Sequence, residues 1–279
     1  MNKKSIKLEE EGCLIFKDII KTEIYEKLKT GYHKYWGEIK IDTSRDELHE
    51  TNSKQQKILD YCPEILELIN NEEINEVLTD YMGENFKITG IYGTRSKPNN
   101  YIPKESELSD KDNYDFNILL YHHDQVGRQI KLIIPFNDID ENQNCLEYAI
   151  GSNQANFLDR IVIKVLRMFG FYKNWNQPIL WHLINRITKN KNYQYYDEKK
   201  VKKKYETRKI TANEKDIYIF DTAGYHRQGV GNEKTNYSLI RETIFIDLMP
   251  NNEWLKRKKM IMDFKNIKKE NYSKLSKFL

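Results

Sequence analysis

The sequence predicts a mainly β fold, of barrel or jelly-roll type, with helices on its outside. Three observations carry that expectation. From about residue 115 the chain breaks into short β-rich runs, DFNILLYHHD, RQIKLIIPFNDI and CLEYAIGS, separated by Asn, Asp and Gly clusters. Two further runs of the same kind, DIYIFDT at 216–222 and LIRETIFIDL at 239–248, follow a long excursion. Ahead of all of them, the apolar residues recur at helical spacing. Helices first, then strands, an insertion and strands again suit a β-sandwich flanked by helices.

Taken in order, residues 7–20 read as a turn at Gly12 followed by a short apolar strand, Cys13 to Phe16. Residues 22–37 read as helix, with Ile24, Leu28, Tyr32 and Tyr35 three and four apart. A second helical region spans about 55–82 and is broken at Pro63 and near Asn70-Asn71. Strand is expected over 86–96 and a polar loop over 97–113. The stretch 156–187 returns to helical spacing and is rich in aromatics, including Phe169, Trp175 and Trp181. It reads as helices packed outside the barrel, with a substrate lid or dimer contact as the other reading. Residues 189–209 are basic and polar, and 253–279 are basic and helical in pattern. The whole is expected to be one domain over 1–279, with an insertion at about 154–212 and a basic C-terminal tail at about 253–279.

Composition narrows the class further. Hydrophobic residues make up 39% of the chain, enough to fill a core, and the formal net charge is only +4. No nucleic-acid partner is therefore expected, and the Lys-rich runs 199–204 and 256–259 read as solvated faces; a nucleic-acid or membrane-surface module acting through them is the alternative. The three cysteines are widely spaced with no C-x-x-C pair, which argues against a disulfide framework or a zinc-cysteine site. The N-terminus shows no long apolar h-region, and no run approaches the length of a membrane span. A cytoplasmic location is expected.

The residues with chemistry in them are few. There are six histidines, and two stand in Tyr121-His122-His123-Asp124 at the end of an apolar strand. On a strand, residues i and i+2 face the same way, so His122 and Asp124 share a side while His123 points elsewhere. His226, in the turn after DIYIFDT, is the best candidate for a third ligand. Two imidazoles and one carboxylate on one face of an octahedron leave positions open for a bidentate cosubstrate and O2, which suits Fe(II). An isolated H-x-D also occurs as a surface pair or a satisfied core pair, so the order of the surrounding segments matters. His182, in PILWHLINRI, reads as a core or surface histidine.

Those segments resemble the phytanoyl-CoA dioxygenase family of Fe(II)/2-oxoglutarate oxygenases. The likeness runs from His122-x-Asp124 through KLIIPFNDIDEN to Leu146-Glu-Tyr-Ala-Ile-Gly151-Ser152, and on to FDTAGYHR at 220–227. The opening EGCLIFKD at 11–18 also resembles the family's N-terminal strand. The resemblance implies a double-stranded β-helix core, a jelly roll of cupin type, with iron at its open end. It implies Fe(II), 2-oxoglutarate and O2 as cofactors and a small-molecule substrate oxidised as 2-oxoglutarate becomes succinate and CO2. An Arg on the strand after the distal His would grip the far carboxylate, since its planar fork pairs bidentately and keeps its charge. Arg241 fits that place, with Arg128 as runner-up. The carboxylate at Asp124 implies hydroxylation, because related halogenases carry a small residue there. Gly151-Ser152-Asn153 departs from the family's G-S-H, and Gln143-Asn144 from its Gly-Pro. A metal-binding jelly roll without redox turnover is the alternative within the fold.

Overall fold

The computed structural model describes residues 2–38, 57–84, 86–96, 120–122, 129–142, 145–154, 195–196, 198–230, 234–235, 240–250 and 268–278. Ten strands form two five-stranded antiparallel sheets among these residues. In the first, β1 (Cys13–Phe16), β8 (Ile217–Asp221), β4 (Ile130–Pro135), β10 (Arg241–Met249) and β2 (Lys87–Ser96) lie side by side in that order. In the second, the order is β6 (Tyr195–Tyr196), β3 (Tyr121–His122), β9 (His226–Gln228), β5 (Leu146–Ala149) and β7 (Thr207–Ile210). From β3 to β5 and again from β7 to β10, successive strands alternate between the two sheets, while β5, β6 and β7 all lie in the second. That winding makes a jelly roll, the expected double-stranded β-helix.

The first sheet is buried on both faces, and this explains why its strands read as near-continuous apolar runs. All five residues of β8 are buried. On its outer face Leu132, Ile134, Ile217, Ile219, Ile244 and Ile246 meet the helices in one large core. On its inner face Ile133, Tyr218 and Phe220 meet Leu146, Tyr148 and Ile210 of the second sheet. Parity thus decides which residues look into the barrel.

The helical layer comprises α1 (Lys3–Glu11), α2 (Thr22–Glu38), α3 (Ile58–Tyr61), α4 (Ile65–Ile69) and α5 (Glu72–Met82). The breaks between α3, α4 and α5 fall at Pro63 and Asn70-Asn71, as the sequence predicts. Asn71 caps α5 by accepting from the main-chain N–H groups of Glu73 and Ile74. Helix α1 was not expected. Its sequence KKSIKLEEE buries only Ser5 and Leu8, so no apolar stripe announces it. Its ends do: Asn2 accepts from the N–H of Ser5, and Gly12 closes it at φ 81°.

The basic stretch 189–209 contains regular structure. It contains α6 (Glu198–Lys204) and the strand β7, which completes the second sheet against β5. Strand β7 reads TRKI, with three of its four residues only half-buried, because it is an edge strand. Helix α7 (Lys269–Leu275) accords with the helical pattern of the C-terminal stretch. The loop 97–113, the aromatic-rich stretch 156–187 with His182, and residues 253–267 lie outside the described residues. Among the described residues no helix is long and apolar enough to cross a membrane. The three cysteines are free and buried.

Candidate metal centre

Strands β3 and β9 pair antiparallel with His122 opposite His226. The sequence separates these histidines by 104 residues, and the jelly roll makes them cross-strand neighbours. Their ring centroids are 4.5 Å apart, with planes inclined at 51°. The two rings are fixed by the same device. His122 Nδ1 lies 2.7 Å from the carbonyl oxygen of Leu120, and His226 Nδ1 lies 2.9 Å from that of Gly224. A carbonyl oxygen only accepts, so each Nδ1 carries a proton, and in the neutral ring this leaves the lone pair on Nε2. That is the tautomer a metal needs, held by a hydrogen bond on the far nitrogen. Two imidazoles bound side by side on one ion, through nitrogens about 2 Å from it, bring their ring centres about 4–5 Å apart. The observed pair fits a metal ion in that respect.

His226 is 4% exposed and opens β9, just past the turn in which the sequence expectation placed it. Its ring meets Phe220 edge-on at 4.9 Å and lies near-parallel to Tyr148 at 6.4 Å. The turn before it is tightly built. Asp221 Oδ1 accepts from the N–H of Ala223 at 2.9 Å, and Asp221 Oδ2 accepts from the Tyr81 hydroxyl at 2.6 Å. The Tyr148 hydroxyl donates to the Asp221 carbonyl at 2.8 Å. Gly224 must be glycine here, since a Cβ on it would lie 1.9 Å from the Tyr148 oxygen. Ser152 Oγ accepts from the N–H of Tyr225 and donates to the Ala149 carbonyl, so the Gly151-Ser152-Asn153 segment braces the same turn. Asn153 donates to the Glu9 carbonyl and to the Tyr81 hydroxyl, tying α1 and α5 to it.

Behind the sheet, Arg227 points away from the histidines, as strand parity requires. Its guanidinium bonds Glu147 at 2.7 Å and both oxygens of Glu198 at 2.9 and 3.2 Å, and it lies 4.6 Å from the centre of the Tyr121 ring. Burial works to raise the Glu147 carboxyl, but the Arg227 charge and hydrogen bonds outweigh it and hold the group below its usual value. Glu198 and Lys202 of α6 also bond each other, so the helix is clamped to the outer face of β5 and β9.

Arg241 begins β10 opposite Ser96 and is 6% exposed. The neighbouring Glu242 turns outward to His33 and Arg95. Arg241 therefore faces the barrel interior. Asp124 and Arg128 lie outside the described residues, as does His123. Among the described residues no cluster of three or more metal-ligating side chains forms. Sequence reasoning missed Tyr81, Tyr148 and Asp221; Asp221 lies in the distal-His segment and Tyr148 in CLEYAIGS, while Tyr81, on α5, carried no signal.

No protein-family model and no curated protein matches the chain in sequence. Solved structures do match it in three dimensions. AviO1 from Streptomyces viridochromogenes Tue57 superposes with a TM-score of 0.50 at 13% identity, over 88% of this chain and 93% of that one. HygX from Streptomyces hygroscopicus, solved with nickel and 2-oxoglutarate bound, gives 0.51 at 11% identity, over 90% and 87%. SnoK, a non-haem α-ketoglutarate-dependent carbocyclase from nogalamycin biosynthesis, gives 0.55 at 12% identity, over 89% and 84%. The chain has the jelly-roll fold of these proteins.

Proposed function

We propose that the protein is a non-haem Fe(II)/2-oxoglutarate-dependent oxygenase that hydroxylates a small molecule, with motifs like those of the phytanoyl-CoA dioxygenase family. The observation that carries this is the His122–His226 pair, with each Nδ1 bonded to a carbonyl, so that the neutral ring has its lone pair on Nε2. Asp124, which the H-x-D pattern of the sequence puts on the same side as His122, is the third ligand in this proposal. Bound iron would supply O2 activation coupled to oxidation of 2-oxoglutarate to succinate and CO2. The chain's own residues do the rest. His122, Asp124 and His226 hold the metal, Arg241 binds the far carboxylate of 2-oxoglutarate, and the buried inner face keeps water from the reacting atoms. The fold's occurrence in HygX, which holds 2-oxoglutarate, and in the carbocyclase SnoK supports the cofactor set. A carboxylate ligand at Asp124 favours hydroxylation over halogenation.

The test is direct. Purified protein with Fe(II), O2 and 2-oxoglutarate should form succinate, and His226→Ala or His122→Ala should abolish it. Mn(II) plus N-oxalylglycine should raise the melting temperature, since a ligand at about 100 times its Kd adds about 2.7 kcal/mol. Metal binding without any effect of 2-oxoglutarate would instead mark a non-redox metal-binding jelly roll. No stabilisation by either would remove the proposal altogether.

A further inference from the structure

The two facing imidazoles have a second row of side chains behind them. In front, His226 stands opposite His122 on one side and opposite Tyr148 on the other. One residue along, Arg227 stands opposite Glu147, and the same antiparallel register brings it alongside Tyr121. Successive strand residues face opposite ways. The row Tyr121–Arg227–Glu147 therefore lies on the outer face, directly behind the row His122–His226–Tyr148. Each member of the front row is joined to its counterpart by one peptide unit.

The main chain does little to fix the front row on its own. Among the described residues β3 and β9 share a single registered pair, His122 with His226, whereas β5 and β9 share three. One pair fixes neither the offset nor the angle between two strands. The back row supplies what that ladder lacks. The Arg227 guanidinium lies 4.6 Å from the centre of the Tyr121 ring, which holds β9 to β3. Its Nε donates to Glu147 Oε2 at 2.7 Å, which holds β9 to β5. Its terminal nitrogens donate to both oxygens of Glu198 on α6, at 2.9 and 3.2 Å. Arg227 is buried, so solvent screens these contacts little. A planar guanidinium can stack on a ring and pair with two carboxylates at once, whereas a lysine ammonium matches the charge alone.

We propose that Arg227 is a positioning residue for the metal. Through Tyr121 and Glu147 it sets the distance and angle between the His122 and His226 imidazoles, and α6, through Glu198, holds Arg227 in place. The guanidinium points away from both imidazoles, and its effect passes through one peptide unit on each strand. This rests on the metal-binding part of the oxygenase proposal above.

The experiment compares wild-type, Arg227→Lys and Leu28→Ala proteins at a temperature where all three are folded. Mn(II) affinity is read by calorimetry, and ligand geometry by the electron paramagnetic resonance spectrum of the Cu(II)-loaded protein. Leu28 is fully buried among the helices, so its truncation destabilises the fold and leaves the back row intact. Arg227→Lys should weaken Mn(II) about tenfold and shift or broaden the Cu(II) hyperfine lines, while Leu28→Ala keeps the wild-type values of both. Unchanged affinity or an unchanged spectrum in folded Arg227→Lys overturns the inference. Comparable changes in Leu28→Ala also overturn it, because they trace the effect to stability. Should Arg227→Lys not fold, Glu198→Gln decides, since that side chain is 35% exposed. It should weaken Mn(II) about threefold, and unchanged affinity there overturns the inference. Wild-type protein that binds no Mn(II) overturns the metal centre itself, an outcome separate from the others.

Discussion

Tyr148 stands directly opposite His226 across the β5–β9 pair, and its hydroxyl donates to the main-chain carbonyl of Asp221 at 2.8 Å. One side chain thereby flanks the imidazole with its ring and supports the turn that delivers it. Tyr148→Phe keeps the ring and removes the bond. Urea unfolding should show a loss of about 1 kcal/mol.

Gly224→Ala should be far worse. The added Cβ would meet the Tyr148 oxygen at 1.9 Å and its Cζ at 2.5 Å. Both atoms belong to a fully buried ring that has nowhere to move, so overpacking should cost about 1–3 kcal/mol. Removing the Tyr148 hydroxyl leaves Cζ in place, and the Gly224→Ala/Tyr148→Phe double variant should therefore not recover. A full recovery in thermal melts would show that the turn relaxes in another way.

Asp221 is expected to act on the metal site through His226 without touching it. Asp221→Ala removes the acceptor of the Ala223 N–H and of the Tyr81 hydroxyl. Metal affinity should fall about 10–100-fold, the range seen when outer-shell partners are removed. Asp221→Asn retains one carbonyl acceptor and should recover part of that loss in a Mn(II) titration, whereas a role confined to overall stability would leave the affinity of the folded variants unchanged.

The clamp behind the sheet gives a pH signature. Glu147 and Glu198 are both held below their ordinary value of 4.5 in the folded protein. Burial opposes this at each site, and the Arg227 charge and hydrogen bonds overcome it. A carboxyl whose folded value is depressed adds stability above its unfolded value and loses it as pH falls through the folded one. Stability of the wild-type protein should thus drop as pH falls below about 4.5. Arg227→Met should cost about 3–5 kcal/mol at neutral pH, since it strands the buried Glu147. Its denaturation midpoints should depend less steeply on acid pH, as measured from pH 7 down to pH 3.

What the sequence made legible follows from what each residue does physically. Strands buried on both faces, such as IYIFD at 217–221 and RETIFIDLM at 241–249, announce themselves by apolar content. Arg241 was reached through the family resemblance, and in the structure it lies on the inner side of β10, opposite to Glu242. By contrast, α1 and β7 bury little apolar surface, and their placement depends on partners distant in the chain. Tyr218 was hidden for another reason: an apolar run shows that a tyrosine is buried but not that its hydroxyl finds no partner among the described residues. Asp221 looked like one more loop residue, because the bond from Tyr81 joins positions 140 residues apart.

That separation has a kinetic side. The turn bearing His226 is pinned to the junction of α1 and β1 by the bond from the Asp221 N–H to the Gly12 carbonyl. Strand β1 itself pairs Cys13 with Phe220. Contacts between such remote segments require closing a very long loop and form late in folding. Interactions absent from the transition state act on the rate of unfolding and leave the rate of folding nearly untouched. A metal ion on His122 and His226 should accordingly lengthen the lifetime of the folded chain without hastening its arrival there.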